Sequence, residues 1–471
     1  MTIKFCKGPT RLITSQVVKK KEEEPKPHMP IELGLSRIKK LLSYVGNPHE
    51  TLKVLHIAGT NGKGSVCSYL STLLQYQRPY NSYKIGRFTT PHLLDVTDSI
   101  TLNDKPISRL HFDSIMQRLE GINTKYDLKC SEFELLTCVS LLYFKDTECD
   151  WCVLEVGLGG RLDATNVVPG SRKLACGITK VALDHELFLG DTLSQIAREK
   201  AGIITEGVKC AVVDGSNVEE VLDVIRKRCE EVGCSLIVTP QNDYHHSTSL
   251  PLGTETKSWD FISLDGLSLQ GQYQLANLRV ALGILDYLQG IGEVPLTATD
   301  ITKALGEVHW PGRLQRLDLA VNKTQKLPIL LDGAHNGNAS TELAKFLRRE
   351  YHERPLTLVM AVTKGKNLKS LLDPLIRPCD RVITTKFGPV DGMPWVHPTD
   401  PLELAGLIRE NYSSNVTVEP SIQRLFEGLK SDNDDGVPIV VCGSLYLCGE
   451  ILRLHNSNVS TKETETGDVE S

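Results

Sequence analysis

The sequence of 471 residues lacks any long apolar run. Crossing a bilayer takes roughly 20 consecutive apolar residues, and the apolar core of a secretory signal is also missing. Charge of one sign is not in excess either, because 53 basic and 58 acidic residues leave a net charge of -5. The sequence therefore predicts a protein that does not cross a membrane. It gives no electrostatic reason to expect a nucleic-acid partner.

The thirteen cysteines are an odd number and are scattered through apolar segments. Cys149 and Cys152 have the spacing of half a zinc site, but the sequence offers no second pair at a suitable distance. Buried thiols in a reducing compartment are the simpler interpretation, and we expect a cytoplasmic protein. Residues 1–28 leave mitochondrial import open, because basic residues without acidic ones precede Glu22. A disordered extension explains this tail equally well.

One loop dominates what is present. The apolar run 54–58 is followed by Gly59-Thr60-Asn61-Gly62-Lys63-Gly64-Ser65 and then by a helical pattern. Glycines let backbone N–H groups face an anion, the helix amino terminus adds partial positive charge, and the lysine can neutralise phosphate oxygens. The order differs from a Walker A motif, because Ile57 and Gly64 stand where that motif has glycine and a hydroxyl residue. The pattern favours a nucleotide-phosphate site over a plain strand-to-helix turn.

Short apolar strands alternate with amphipathic helices through most of the chain, as in parallel sheets covered on both faces. We predict an α/β fold with a P-loop-type ATPase domain on a mainly parallel sheet and a smaller Rossmann-like carboxy-terminal domain. The predicted boundaries are a disordered or targeting tail at 1–28, the ATP-binding domain at 29–309, the carboxy-terminal domain at 310–455 and a disordered tail at 456–471.

Polar residues follow several predicted strands. Glu155 ends the apolar run 151–155, and His185 follows another strand. Because the carboxyl ends of parallel strands share one edge of a sheet, Glu155 is placed to hold Mg²⁺ beside the phosphates. The alternatives are a carboxylate that caps a turn and a structural histidine. Lys200, on a later helix, is either a solvated lysine or a partly buried functional one.

Arg313 and Asp332 lie at the start of the second predicted domain. If that domain closes over the loop, the arginine can reach phosphate and the aspartate a ribose hydroxyl. A cap on a linker turn is the alternative for Arg313.

These motifs, in this order, resemble the Mur ligase superfamily and, within it, the folylpolyglutamate synthase and dihydrofolate synthase family. The resemblance runs from Met29 to about Leu454. It rests on Gly-Thr-Asn-Gly-Lys-Gly-Ser (59–65), Phe-Thr-Thr-Pro-His-Leu (88–93), Glu-Val-Gly-Leu-Gly-Gly-Arg-Leu-Asp-Ala-Thr-Asn (155–166), Leu-Asp-His (183–185), Glu-Lys-Ala-Gly-Ile (199–203), Gly-Gln-Tyr-Gln-Leu-Ala-Asn (271–277), Trp-Pro-Gly-Arg (310–313), Asp-Gly-Ala-His-Asn (332–336) and Gly-Ser-Leu-Tyr-Leu (443–447).

The resemblance implies ATP-dependent amide formation through an acyl phosphate, with ATP and Mg²⁺ as cofactors. It gives catalytic roles to Lys63, Glu155, His185 and Lys200, the last as a carbamylated lysine, and the metal to Thr90, Glu155 and His185. It assigns ATP binding to Gly59, Thr60, Asn61, Gly62, Lys63, Gly64, Ser65, Asn277, Arg313, Asp332 and His335. It assigns binding of the pterin side of the substrate to Ser131, Phe133, Glu134, Arg161 and Asp163.

The segment Val96-Thr-Asp-Ser-Ile100 indicates which substrate accepts the glutamate. In the resemblance, polyglutamate synthases carry an Arg-Glu-Arg-Ile type of run at this place. This departure resembles the fungal dihydrofolate synthase branch. It implies a monomer that joins L-glutamate to dihydropteroate at the expense of ATP. Two alternatives stay open, a folylpolyglutamate synthase acting on tetrahydrofolate and a P-loop nucleotide-binding module without ligase activity.

Overall fold

The structure is a computed structural model. It describes residues 33–80, 82–240, 249–250, 258–259, 262–264, 266–322, 325–432 and 436–466. The tail predicted at 1–28 lies outside the described residues. Residues from Gly34 onward form one compact unit. We call residues 34–309 the first lobe and residues 310–466 the second lobe, because each part is built on its own sheet.

The first lobe is built on an eight-stranded sheet in which all pairings are parallel except the two at one edge. Its strands are ordered Lys105–Pro106, Ile100–Leu102, Ile85–Phe88, Trp151–Glu155, Val54–Ala58, Lys173–Ile178, Cys210–Val213 and Ser235–Val238. A separate two-stranded ladder joins Ser249–Leu250 to Ile262–Ser263.

Helices cover both faces of this sheet. They are Ser36–Ser43, Lys63–Gln75, Arg109–Lys125, Glu132–Asp146, Glu186–Leu189, Leu193–Ala201, Glu219–Val232, Gln272–Gly290 and Ala298–Glu307. One apolar core joins the central strands to the helices Lys63–Gln75 and Gln272–Gly290, and a second core lies under Glu132–Asp146. The central strands Val54–Ala58 and Trp151–Glu155 are buried along their whole length, as expected for a parallel sheet covered on two sides.

The second lobe has a six-stranded sheet that is parallel apart from one edge pairing. The strand order is Gln315–Ala320, Lys326–Leu331, Ile439–Cys442, Thr357–Met360, Arg381–Thr384 and Val416–Val418. Its helices are Gly337–Tyr351, Leu368–Leu372, Pro401–Asn411, Ile422–Asp432 and Leu445–Thr466.

Capping residues explain where helices near the strand ends begin. Ser131 and Glu134 form a capping box at the start of Glu132–Asp146, and Asn336 caps Gly337–Tyr351 by accepting a bond from the backbone N–H of Ala339. Each such cap stabilises a helix by about 1 kcal/mol. The caps fix the entry points of helices whose first residues carry the predicted site motifs.

The predicted α/β class, with two mainly parallel sheets, is confirmed. The antiparallel strands at the sheet edges and the helix Gln272–Gly290 were not predicted. Over 456–466 the predicted disordered tail is wrong, because the helix Leu445–Thr466 continues through these residues. The domain boundary at 309 and 310 stays a prediction.

Within the described residues, no helix combines the length and the apolar character that crossing a membrane requires. The twelve cysteines of this part are free thiols, and ten of them are buried. Cys149 and Cys152 are among these free thiols.

Candidate active site

Three strands of the first sheet end side by side and place three polar segments together. Val54–Ala58 leads into the loop 59–65, which we call the phosphate loop. Its neighbour Trp151–Glu155 ends in Glu155, and its other neighbour, Lys173–Ile178, leads into the loop that carries His185. The shared edge inferred from the sequence is therefore present.

The phosphate loop needs glycine at two positions. Gly59 and Gly62 have φ of 149° and 92°, and a side chain at Gly62 would overlap with Oδ1 of Asn277. The helix begins at Lys63, so the N–H groups of its first turn lack partners within the helix. These groups form the anion-binding end of the loop.

Thr60 and Asn61 are held differently from the expected phosphate contacts. Their backbone N–H groups donate to the carbonyl oxygen of Lys180, at 2.8 and 3.2 Å. The hydroxyl of Thr60 bonds the backbone of Ala182. Their predicted ATP contacts stay a prediction, and in this structure both residues tie the phosphate loop to the neighbouring strand end.

Lys63 and Glu155 form the centre of the site. Nζ of Lys63 lies 3.8 Å from Oε1 of Glu155, and the backbone N–H of Thr90 donates to Oε2 of the same carboxylate at 3.2 Å. Burial raises the pKa of Glu155 to about 7, although the charges of Lys63 and Arg313 and the bond from Thr90 oppose that rise. A further cation beside this buried carboxyl group would stabilise its ionised form.

The predicted metal ligands fit a magnesium ion that is held mostly by its substrate. His185 has a φ of 54°, and burial lowers its pKa to about 4, so its imidazole stays neutral and able to ligate. Among the described residues, no three His, Cys, Asp or Glu side chains are grouped to hold a metal. A set of one carboxylate, one hydroxyl (Thr90) and one imidazole therefore leaves most positions to phosphate oxygens and water, as Mg²⁺ sites commonly do.

Lys200 lies behind the phosphate loop. Its side chain is buried, and Nζ donates to the carbonyl oxygen of Gly59 at 2.8 Å. Burial, helped by the positive charge of Lys63, lowers its pKa to about 7. A large fraction of this amine is therefore neutral near neutral pH, which excludes the interpretation as a solvated lysine.

The second lobe brings Arg313, Asp332 and His335 to the same region. Asp332 accepts bonds from the backbone N–H groups of Leu314 and Ala334, both at 2.9 Å. Arg313 lies so close that a side chain at Gly333 would overlap with its Nη1. Burial raises the pKa of Asp332, and the charge of Arg313 opposes the rise.

His335 is fixed in one tautomer. Its Nδ1 lies 2.9 Å from the carbonyl oxygen of Gly333, which can only accept, so Nδ1 carries the proton. Burial lowers its pKa to about 4, and Nε2 lies 3.9 Å from Oδ2 of Asp184. The ring is therefore neutral and presents an acceptor toward the first lobe.

The helix Gln272–Gly290 contributes Tyr273 and Gln274, which the sequence interpretation did not assign, beside Asn277, which it assigned to ATP. Asn277 donates to Oε1 of Gln274 at 3.0 Å, and Gln274 donates to Oγ of Ser65 at 3.2 Å. Because Ser65 accepts this bond, its own proton is free to point toward a phosphate. The hydroxyl of Tyr273 donates to Oδ2 of Asp332 at 3.3 Å. Tyr273 and Gln274 lie in the motif 271–277, so the sequence held the signal that could have found them.

On the predicted pterin side, Ser131 and Glu134 are engaged in local structure. They form the capping box of one helix, and Arg37 donates to Oε2 of Glu134 at 3.0 Å. Phe133 packs against Gly157, where a side chain would be too close to its ring. Of these residues, Phe133 alone presents an aromatic surface.

Arg161 and Asp163 are engaged as well. Arg161 pairs with Glu199 at 2.9 Å. Asp163 is buried and accepts bonds from the backbone N–H groups of Leu158 and Thr165 and from the hydroxyl of Thr165. Substrate contacts by residues 131–134, 161 and 163 stay a prediction.

The segment from which the acceptor was inferred is held by several hydrogen bonds. Asp95 caps the short 3₁₀ helix Val96–Ser99, and Asp98 accepts bonds from the backbone N–H groups of Leu94 and Asp95, at 2.9 and 3.0 Å. Arg453 of the second lobe donates to the carbonyl oxygen of Leu94 at 2.8 Å. Asp95 and Asp98 therefore organise the segment from which the acceptor was inferred.

Comparison with known proteins places this site in a family. A dihydrofolate synthetase of Saccharomyces cerevisiae is 54% identical over 92% of this chain and 100% of its own length. The chain belongs to the dihydrofolate synthase and folylpolyglutamate synthase family. A family model described as "Dihydrofolate synthetase, C-terminal domain" matches residues 315–454.

Two further members of this family are similar to the chain at lower identity. A probable folylpolyglutamate synthase of Saccharomyces cerevisiae is 39% identical over 90% of this chain and 97% of its own. The crystal structure of Mycobacterium tuberculosis folylpolyglutamate synthase, solved with ADP and AMPPCP, has a TM-score of 0.76 at 27% identity and covers 90% of this chain and 95% of that one. Both lobes of the family fold are therefore shared.

Proposed function

We propose that this family member is a dihydrofolate synthase, which joins L-glutamate to 7,8-dihydropteroate and converts ATP to ADP and phosphate. The observation that carries the ligase part is the pair formed by Lys63 and the buried Glu155, 3.8 Å apart at the mouth of the phosphate loop. The choice of acceptor is supported by identity, 54% with a dihydrofolate synthetase against 39% with a probable folylpolyglutamate synthase.

The reaction proceeds in two displacements. A carboxylate oxygen of dihydropteroate attacks the γ-phosphorus, and the bond from that phosphorus to ADP breaks. The amine of L-glutamate then attacks the acyl carbon, so that a C–N bond forms, the C–O bond to phosphate breaks and the amine loses a proton. Phosphorylation is needed because a free carboxylate is a poor acyl donor.

The chain's own residues supply position and charge. Lys63 and the N–H groups of the first helical turn hold the phosphates, and Arg313 of the second lobe adds a positive charge. Asp332 and Asn277 lie at the nucleotide. Thr90, Glu155 and His185 would hold Mg²⁺, which supplies positive charge to the γ-phosphoryl oxygens when bound.

Lys200 is included in this proposal as a carbamylated lysine. The support is its buried amine, whose pKa is lowered to about 7 by burial and, among the charges around it, most by that of Lys63. A carbamate replaces a buried cation by an anion beside Lys63, which removes a like-charge repulsion. The bond to the carbonyl oxygen of Gly59 can persist, because the carbamate nitrogen keeps one hydrogen.

The deciding experiment measures ADP release by the full chain with L-glutamate and either dihydropteroate or tetrahydrofolate. We expect glutamate-dependent turnover with dihydropteroate and a background rate with tetrahydrofolate. The Glu155→Gln variant fixes the background, because it keeps the size of the side chain and removes its charge. Turnover with tetrahydrofolate alone would establish the polyglutamate synthase, and ATP binding without turnover on either acceptor would establish a nucleotide-binding module.

The proposal extends to assembly and location. We propose a monomer in the cytoplasm, and analytical ultracentrifugation and a fusion of residues 1–28 to a fluorescent reporter test these two points. Import of the reporter into mitochondria would overturn the cytoplasmic assignment.

A further inference from the structure

A polar cluster joins the two lobes beside the phosphate loop. Nζ of Lys366, in the second lobe, donates to Oδ1 of Asp184 at 2.7 Å, and Nδ2 of Asn336 donates to Oδ2 of the same carboxylate at 3.1 Å. Asn61 of the phosphate loop exchanges two amide bonds with Asn336, at 3.0 and 3.3 Å, and donates to Oδ1 of Asn338 at 2.9 Å. We call these five residues the clasp.

Asn336 is the hub of the clasp, and its polar atoms are all used. Oδ1 accepts from the backbone N–H of Ala339, which starts the helix Gly337–Tyr351, and from Asn61. Nδ2 donates to Asn61 and Asp184. The start of a second-lobe helix is therefore bonded directly to two loops of the first lobe.

On the first-lobe side of the clasp, the phosphate loop and the loop that carries Asp184 are joined by hydrogen bonds. The N–H groups of Thr60 and Asn61 both donate to the carbonyl oxygen of Lys180, and the hydroxyl of Thr60 bonds the backbone of Ala182. Asp184 follows two residues later and immediately precedes His185. Docking of the second lobe on Asp184 and Asn61 is therefore transmitted to the phosphate loop and to the predicted metal ligand together.

The ion pair is sheltered from water. The side chains of Lys366 and Asp184 are 19% and 11% exposed. Screening by solvent is weaker for such a pair than for a pair on an open surface. The same lysine lies two residues after Lys364, which is exposed and bonds through its backbone N–H to the carbonyl oxygen of His397.

We propose that Asp184, Asn336 and Lys366 hold the second lobe closed on the nucleotide site, and that Asp184 and Lys366 are positioning residues for the ligation. This inference rests on the proposed function only for its kinetic readout. In the closed arrangement, Arg313, Asp332 and His335 stand over the phosphate loop, while His185 is held by the neighbouring Asp184. Opening the clasp removes these second-lobe residues from the nucleotide at the same time.

The variants compare two lysines of one loop. Lys366→Met removes the charge and keeps much of the side-chain volume, and Lys364→Met makes the same change outside the clasp. Lys366→Arg restores a cation. Asp184→Asn and the double variant Asp184→Asn/Lys366→Met complete a cycle, which measures whether the two residues act as a unit.

Two measurements are made on the full chain. Small-angle X-ray scattering with ADP and Mg²⁺ gives the radius of gyration, and steady-state kinetics gives kcat and KM for ATP with whichever acceptor turns over. We expect Lys366→Met to enlarge the nucleotide-bound particle and to lower kcat about tenfold, the size of an ordinary coupling between two sites. Lys364→Met is expected to match the unchanged chain, Lys366→Arg to regain most of the loss, and the double variant to be no worse than the poorer single one.

Three results would overturn the clasp. The first is an unchanged scattering curve and kcat in Lys366→Met. The second is a loss of kcat without any change in scattering, because the lysine would then act on a ligand directly. The third is an equal effect of Lys364→Met. The scattering arm needs no acceptor, so a wrong acceptor in the proposed function leaves the test of the clasp intact.

Discussion

The indole ring of Trp310 lies against Gly64 of the phosphate loop. A methyl group at Gly64 would overlap with Cζ2 of Trp310 and would stand 3.3 Å from Oε2 of Glu155. On the same indole ring, the guanidinium of Arg87 lies 5.3 Å from the centroid. The tryptophan is the first residue of the second lobe, so the start of this lobe is packed directly on the phosphate loop.

This contact predicts that Gly64→Ala weakens nucleotide binding. The added methyl group has to displace the indole or the loop, and such overpacking costs about 1–3 kcal/mol. We expect ADP affinity to fall about tenfold, which corresponds to about 1.4 kcal/mol, and calorimetric titration measures it. Gly121→Ala is the matched control, because nothing lies within 4 Å of the added group in the helix Arg109–Lys125. Equal ADP affinity in Gly64→Ala and the unchanged chain would show that the indole of Trp310 moves aside without a cost in free energy.

Carbamylation of Lys200 is tested with ¹³C-labelled bicarbonate. Only a neutral amine attacks CO₂, and a pKa of about 7 leaves far more neutral amine near neutral pH than an ordinary lysine pKa of about 10.4 does. We expect one carbamate resonance in the ¹³C NMR spectrum, absent from Lys200→Met and retained in Lys364→Met. A CO₂-free buffer should lower the rate of the unchanged chain. A resonance that survives in Lys200→Met would assign the modification to another amine.

The sequence predicted the strands that end at the site better than it predicted the contacts made there. Glu155 and Lys200 could be placed because an apolar run that ends in an acid, and a lysine followed by small and apolar residues, are local patterns. Trp310 and Lys366 could not be assigned, because their roles depend on how the second lobe packs on the first. Asp184 directly precedes His185, which the sequence interpretation did assign. The role of Asp184 becomes visible only in its hydrogen bond with Lys366 of the second lobe.

Over 456–466 the predicted tail failed for a similar reason. Its composition is polar, and the helix Leu445–Thr466 continues there because it is anchored upstream by buried Leu447 and Ile451. Asn458 donates to the carbonyl oxygens of Ala320 and Val321 at the edge strand. Tertiary contacts of this kind override composition.

Tyr273→Phe is predicted to weaken nucleotide binding through Asp332. The tyrosine hydroxyl is one of three donors to this buried carboxylate, the others being backbone N–H groups. Its loss leaves the charge of Asp332 less well satisfied, at a cost of about 1 kcal/mol, so we expect an approximately fivefold rise in the Kd for ADP. Tyr287→Phe, on the same helix, is the control, because its hydroxyl makes no hydrogen bond within the described residues. Equal Kd values for the two variants would contradict a role of Asp332 at the nucleotide.

His56 is predicted to make the fold sensitive to acid. The histidine lies in the central strand Val54–Ala58, fully buried, with Nε2 2.8 Å from Oγ1 of Thr165. That hydroxyl donates to Asp163, so Nε2 must carry the proton, and Nδ1 has no partner within the described structure. Burial, followed by the charge of Lys173, holds the pKa of His56 well below 6.5.

The sign of the effect follows from the proton balance. Below pH 6.5 the histidine of the unfolded chain takes up a proton that the folded chain does not bind, so stability falls as the pH decreases through this range. The contribution approaches about 1.4 kcal/mol per pH unit until the folded pKa is reached. His56→Gln keeps a donor toward Thr165 and cannot titrate. We expect the urea midpoint of the unchanged chain to fall more steeply than that of His56→Gln between pH 6.5 and 5, with His111→Gln, at an exposed position, as the matched substitution. Parallel curves for the chain and His56→Gln would mean that His56 binds its proton at the same pH in the folded and the unfolded chain, which would contradict the lowering of its pKa by burial.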